Sequence, residues 1–268
     1  MSAVRPQTGA KLYPSRTLLT VALLAIAATA LFLRLWRLSA ESAWWDEYTS
    51  LTHLGAPNLL TFLNLNRTLD PATLPLYYAF EYLWARGITD SVLGIRMLSI
   101  LLGMLAIPLV YLLGRRLYGP TAGIVAAACL ALSPIHAFHA QGIRMYVLFA
   151  TLVLCSAYTF LRVAEGARAR WWLAHAAANL ALLWTHPFAG LFLAVEGLAL
   201  LCWQGQRVRR VAGWGVLNLL LAAPAAAYVV SVQFWDTEST AAWLHAPGFG
   251  RFLGDLFLDD VVSATYQL

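Results

Sequence analysis

Seven apolar runs, each close to the roughly 20 residues that an α-helix needs to cross a bilayer, constrain this chain more than any other feature. They run Thr17 to Trp36, Ser91 to Leu113, Thr121 to Phe138, Ile143 to Leu161, Trp171 to Thr185, Pro187 to Trp203 and Val211 to Val232. With 60% hydrophobic residues against 12% charged, and a mean hydropathy of +0.67, the chain has too little polar surface for a soluble globule. The reading is an all-α, polytopic transmembrane helical bundle of about seven spans, a single domain over residues 1–268. The first run exceeds a signal-peptide core and no small-residue cleavage site follows it, so it is read as a retained helix. The fifth and sixth runs are short, and Thr185-His186-Pro187 divides them in the manner of a tight hairpin. Cys129, Cys155 and Cys202 lie inside apolar runs without CxxC or CxxH spacing, which supports neither a disulfide framework nor a zinc site.

The basic residues fall in short clusters between runs and form no stripe of the kind that binds nucleic acid. They report topology. Placing the N-terminus in the cytoplasm gathers Arg5, Lys11, Arg16, Arg115, Arg116, Arg162, Arg168, Arg170, Arg207, Arg209 and Arg210 there, joined by the single acid Glu165. The other face receives Glu41, Asp46, Glu47, Asp70, Asp90, Asp236, Glu238, Asp255, Asp259 and Asp260. The expected location is the inner (plasma) membrane, multi-pass. Pro75 to Arg86 is apolar and aromatic, but a span there would turn every later Arg-rich loop outward. It is also short and holds Glu81, so it is read as a helix lying in the outer interface. The first extracytoplasmic loop, residues 39–90, is then large and built of membrane-lying helices.

Three outer segments carry polar residues beyond what topology requires. In the first, Trp44-Trp45-Asp46-Glu47 follows the first span, with paired indoles at headgroup height and two carboxylates beside them. Those carboxylates are the first candidates for chemistry; the plainer reading is that they solvate a loop or favour a helix N-terminus. The second segment is Ser133 to Tyr146, with His136, His139, Gln141, Arg144 and Tyr146. The third is Trp184 to Pro187, with His186. Arg144 heads an apolar run, where a cation requires a partner or a polar cavity. It either neutralises a carboxylate such as Asp46 or holds an anionic group of a ligand, and a phosphate suits a guanidinium, which can give it two hydrogen bonds. His136 and His139 could ligate a metal with Asp46 or Glu47, or serve only as hydrogen-bonding groups. His175, within a span, reads as a packing or helix-bonding residue, Arg34 and Arg37 as side chains reaching for headgroups, and Glu196 has no assignment.

Taken in order, these pieces resemble the GT-C membrane glycosyltransferases, in particular the family 39-like proteins related to protein O-mannosyltransferases and the lipid A aminoarabinose transferase. The resemblance rests on Trp44 to Glu47, the Pro-Leu-Tyr-Tyr of Pro75 to Tyr78, Arg96-Met97-Leu98-Ser99 opening a span that ends Leu113 to Gly119, Ser133 to His136, and Gln141 to Tyr146. It covers Leu35 to Leu161. The resemblance implies a multi-spanning helical bundle, an essential acid in the first outer loop, matched by Asp46 with Glu47 beside it, and a polyprenyl-phosphate sugar donor whose anomeric carbon is inverted. Thr73 stands where the family has His and Asp70 is displaced by one position, so no role passes to Asp70. Such proteins usually run longer, so a fragment or a short member is expected.

Transfer of a hexosyl or pentosyl group from a lipid phosphate needs a base for the acceptor hydroxyl and a cation for the departing phosphate. Asp46 supplies the first and Arg144 the second. Tyr146, Gln141, His136, His139, His186 and Tyr77 are expected to bind substrate, and a divalent metal ion is the one candidate cofactor. The expected partners are the membrane, the polyprenyl-phosphate sugar and a lipid, glycan or protein acceptor. The competing readings are a transporter or flippase of an amphipathic solute, disfavoured because no internal repeat is found and the ionisable residues gather at one surface, and an inactive truncated partner.

Overall fold

Serine and proline punctuate the chain where its helices start. Ser15 accepts the Leu18 amide at 3.2 Å to open α1 (Arg16–Leu35), and Ser91 accepts that of Gly94 at 3.1 Å to open α5 (Val92–Met104). Pro75, Pro120 and Pro134 occupy first-turn positions, where no amide is missed, of α4 (Pro75–Gly87), α7 (Pro120–Ala131) and α8 (Pro134–Gln141). The computed structural model describes residues 15–40, 42–69, 73–166, 168–202 and 208–235. Among them are also α2 (Trp45–Leu51), α3 (Leu59–Leu69), α6 (Ala106–Tyr118), α9 (Tyr146–Ala164), α10 (Ala169–Leu183), α11 (Ala189–Cys202) and α12 (Val208–Trp235). Glu41, Asp70, Asp236, Glu238, Asp255, Asp259 and Asp260 of the acidic face, and Arg5, Lys11 and Arg207 of the basic one, lie outside the described residues.

The all-helical expectation holds, with fewer spans than seven. Among the described residues, four helical stretches are long and apolar enough to cross a membrane: α1, α5 continued by α6 as Val92–Tyr118, α9, and Val208–Ser231 of α12. A fifth crossing exists if α7 and α8 count together, for they bend by 56° at Leu132-Ser133-Pro134. Hydropathy sees an unbroken apolar run there; the serine cap and the proline break it. The Trp171 to Thr185 and Pro187 to Trp203 runs become α10 and α11, of 15 and 14 residues. Each is shorter than the bilayer core requires of a straight helix. Between α1 and α5 lie α2, α3 and α4 of 7, 11 and 13 residues, none long enough to span, as expected of the 39–90 loop.

The α6–α7 hairpin is made by glycine. Gly119 turns the chain at φ 96°, and Gly123 lets the backbones meet: a Cβ there would lie 2.6 Å from the Tyr111 carbonyl oxygen. The α7–α8 bend turns the last carbonyls of α7 out of the helical ladder, and Arg34 of α1 bonds two of them. Its guanidinium donates to the oxygens of Leu130 at 3.2 Å and Ala131 at 3.1 Å and to His136 Nδ1 at 2.8 Å. Arg34 is fully buried, so it clamps helices together and does not reach for headgroups.

Toward the opposite end, α9, α10, α11 and α12 share a buried polar network. The Trp214 indole N–H donates to His175 Nε2 at 3.0 Å. That nitrogen therefore carries no proton, and Nδ1–H points at Thr159 Oγ1, 3.2 Å away. The Asn179 amide reaches His175 Nε2 at 3.0 Å and the Asn218 carbonyl at 2.6 Å. Ser156 bridges the Asn179 carbonyl to Glu196 Oε1. His175 thus packs and bonds helices as expected, and Glu196, unassigned from sequence, belongs with it. At the adjoining helix ends Arg116 pairs with Glu165, Arg210 donates to the Ala164 oxygen at 2.9 Å and Arg162 lies 4.7 Å from the Trp171 ring.

Candidate active site

Asp46 and Glu47 are adjacent in sequence and opposite in circumstance. They open α2, and the helical turn sends Glu47 inward and Asp46 outward. The Glu47 side chain is 7% exposed and meets the Arg96 guanidinium at 3.2 Å. It also accepts the backbone amides of Ile143 at 2.7 Å and Trp44 at 3.1 Å, the second being the reach-back of a capping-box glutamate. Arg96 extends the clamp to the carbonyl oxygens of Leu38 at 2.8 Å and Ser42 at 3.3 Å. One buried ion pair thus fixes α2 against α5, the end of α1 and the α8–α9 link.

Asp46 keeps its side chain 62% exposed, with Oδ2 4.0 Å from an Arg144 nitrogen. Arg144 sits in the link between α8 and α9, its side chain 11% exposed, and donates to the Asp46 carbonyl oxygen at 3.2 Å. The two residues named from sequence as base and phosphate-binding cation, 98 positions apart, meet in space.

Beside Arg144 runs a row of rings: His139 lies 5.0 Å from Tyr146, Tyr146 5.8 Å from His186, and His186 5.0 Å from Phe149. Burial, and then the positive Arg144, hold His186 below the ordinary imidazole range. His186 thus lies within the field of Arg144, and Tyr146 and His139 join it through the row of rings. Gln141 is placed differently, its amide given to the carbonyl oxygens of Arg34 at 3.0 Å and Trp36 at 2.9 Å. His136 faces Arg34 through Nδ1. Because guanidinium only donates, that nitrogen is an acceptor there. Tyr77 is fully buried and bonds Ser99 at 2.8 Å, and burial raises its phenol well above the usual range. Among the described residues no three His, Cys, Asp or Glu side chains gather to hold a metal ion; in particular His136 and His139 form no such group with Asp46 or Glu47.

Sequence reasoning passed over Glu81 and Arg96. The signal for Glu81 was its register: Tyr77, Tyr78, Glu81 and Tyr82 fall on one face of α4, and all are buried. Glu81 is fully buried and neither carboxyl oxygen finds a hydrogen bond. Burial, chiefly, pushes its carboxyl up to about 8. The Leu76 amide donates to the Trp184 oxygen at 3.0 Å, which ties α4 to the His186 turn.

The model of one protein family, described as dolichyl-phosphate-mannose-protein mannosyltransferase, matches residues 74–235. That stretch contains Glu81, Arg96, Arg144 and His186 and begins after Asp46. No curated protein matches the chain.

Proposed function

Because the chain belongs to the dolichyl-phosphate-mannose-protein mannosyltransferase family, we propose that it moves a glycosyl group from a polyprenyl-phosphate sugar to an acceptor hydroxyl at the extracytoplasmic membrane face, inverting the anomeric carbon. The family makes it a multi-pass membrane glycosyltransferase with a polyprenyl-phosphate sugar as donor. The face, the acceptor and the residue roles are the proposal. The observation that carries it is the pairing of an exposed carboxylate, Asp46, with a largely buried guanidinium, Arg144, 4.0 Å away.

In this reading the acceptor oxygen attacks C1 of the sugar, the C1–O bond to phosphate breaks, and the acceptor proton passes to Asp46. The negative charge left on the polyprenyl phosphate is met by Arg144, whose planar fork can take two phosphate oxygens. A single displacement inverts the anomeric carbon. Glu47, engaged by one guanidinium and two amides, positions α2 and with it Asp46. Tyr146, His139 and His186 offer ring faces and polar edges to the sugar. Exposed Trp44 and Trp45 suit the headgroup level, so a lipid-borne donor presents its sugar at the height of Asp46.

The test is transfer from radiolabelled polyprenyl-phosphate sugars by membranes carrying the protein. Asp46→Asn is expected to lower transfer by about 10²- to 10⁴-fold, the range typical of a lost general base, with insertion and melting unchanged. Label that stays on the lipid with every donor tried would refute the activity, and an Asp46→Asn protein that remained active would remove Asp46 from the chemistry.

A further inference from the structure

Among the groups the reaction leaves unused is Glu81, a buried carboxyl that feels the Arg144 charge. Three observations place it. It lies on the inward face of α4 with Tyr77 and Tyr78, and the Tyr78 hydroxyl contacts Met145 Sδ at 3.7 Å, so this face packs against the segment that presents Arg144. Its carboxyl is fully buried and neither oxygen is hydrogen-bonded, because the neighbouring Ser50 hydroxyl donates to the Glu47 carbonyl oxygen at 3.2 Å; this is the costly state for an ionised acid. The positive charge that reaches it, that of Arg144, is shared with Asp46.

Among the described residues, the groups facing Glu81 come from several elements. From α2 come Glu47 and the Ser50 hydroxyl, and from the α8–α9 link comes Arg144. On α4 itself the Tyr77 phenol feels Glu81 and Glu47. From α5, Arg96 is spent on Glu47 at 3.2 Å and Ser99 on Tyr77 at 2.8 Å. An anion at Glu81 would thus repel Glu47 and draw on Arg144.

We propose that Glu81 is a positioning residue for the donor site: a neutral acid behind Arg144 that leaves the guanidinium's charge to Asp46 and the donor phosphate. The inference rests on the assignment of Arg144 to that phosphate. Once ionised, Glu81 competes for the same cation and the phosphate is held less firmly. The carboxyl, pushed up to about 8 by burial, keeps its proton at neutral pH and loses it just above. Two neighbours are held out of that window, His186 below the imidazole range and Tyr77 well above the phenol range; a phosphate monoester takes its second ionisation near 6, below it, and guanidinium does not deprotonate.

The experiment is binding of polyprenyl phosphate, the donor without its sugar, to the detergent-solubilised full chain across the window around pH 8. Affinity should hold at neutral pH and fall about fivefold or more above it, the lower end of typical site–site coupling. Glu81→Gln should bind as tightly at neutral pH and show no alkaline fall. Should that variant fail to fold, Ser50→Ala carries the test: it removes the adjacent hydroxyl, which can turn from the Glu47 carbonyl to an ionised Glu81 and so favours the charged form, and the fall should move to higher pH. A pH-independent wild-type affinity, the same fall in Glu81→Gln, or an unmoved fall in Ser50→Ala overturns the proposal for Glu81. Absence of polyprenyl-phosphate binding at every pH overturns instead the donor assignment of Arg144 on which it stands.

Discussion

Replacing Glu47 by alanine separates an anchoring role from a chemical one. The substitution leaves the Arg96 guanidinium, 6% exposed, without its counter-charge, and breaking such a buried pair costs about 3–5 kcal/mol. It also strands the Ile143 amide, now bonded to Glu47 at 2.7 Å, a loss of about 1–3 kcal/mol for a buried donor. The two share one carboxylate and do not add in full, so a destabilisation of about 4 kcal/mol is expected. Thermal denaturation in detergent should register a midpoint lower by on the order of 10 °C. Glu47→Gln keeps an acceptor for Ile143 and should lose less. The double change Glu47→Gln with Arg96→Met removes the orphaned cation and should recover part of what Glu47→Ala loses. A Glu47→Ala protein with an unchanged midpoint and abolished transfer would refute the anchoring argument and return Glu47 to the reaction.

Two further outcomes follow from the site. Arg144→Lys keeps a charge but loses the bidentate fork, so KM for the donor should rise about 10- to 100-fold, as initial rates against donor concentration will show. His186 is held below the ordinary imidazole range, so as pH falls through about 6.5 an unfolded chain gains a proton that the folded one resists. Stability should therefore decline with acidification across that window, and His186→Phe, measured by melting midpoint at neutral and mildly acidic pH, should flatten the decline.

Much of this architecture could be read from residue order alone, because hydropathy period and loop charge are local signals. Thr17 to Trp36 became α1, Pro75 to Arg86 became the short α4, and Asp46 met Arg144 because topology had already put both at one end. What escaped depended on distant partners. Arg34 looks like an interfacial basic residue until the α7–α8 bend, some hundred positions later, exposes the carbonyls it bonds. Glu47 looks equal to Asp46 until Arg96 and the Ile143 amide claim it. The count of spans failed for a related reason: a running hydropathy average does not register the Ser133-Pro134 break, and it counted as crossings two runs that, as α10 and α11 of 15 and 14 residues, fall short of the bilayer core.

The network of His175, Asn179, Glu196 and Asn218 also bears on how such a chain is made. A short segment bearing an imidazole and a carboxamide, or a carboxyl, is poorly held by hydrocarbon alone. α10 and α11 should therefore linger at the insertion machinery until α9 is beside them and α12 emerges with Asn218 and Trp214. On that view biogenesis of this half is concerted: a nascent polypeptide halted before α12 would leave its predecessors only loosely committed to the bilayer, and quality-control proteases would be the first to detect it.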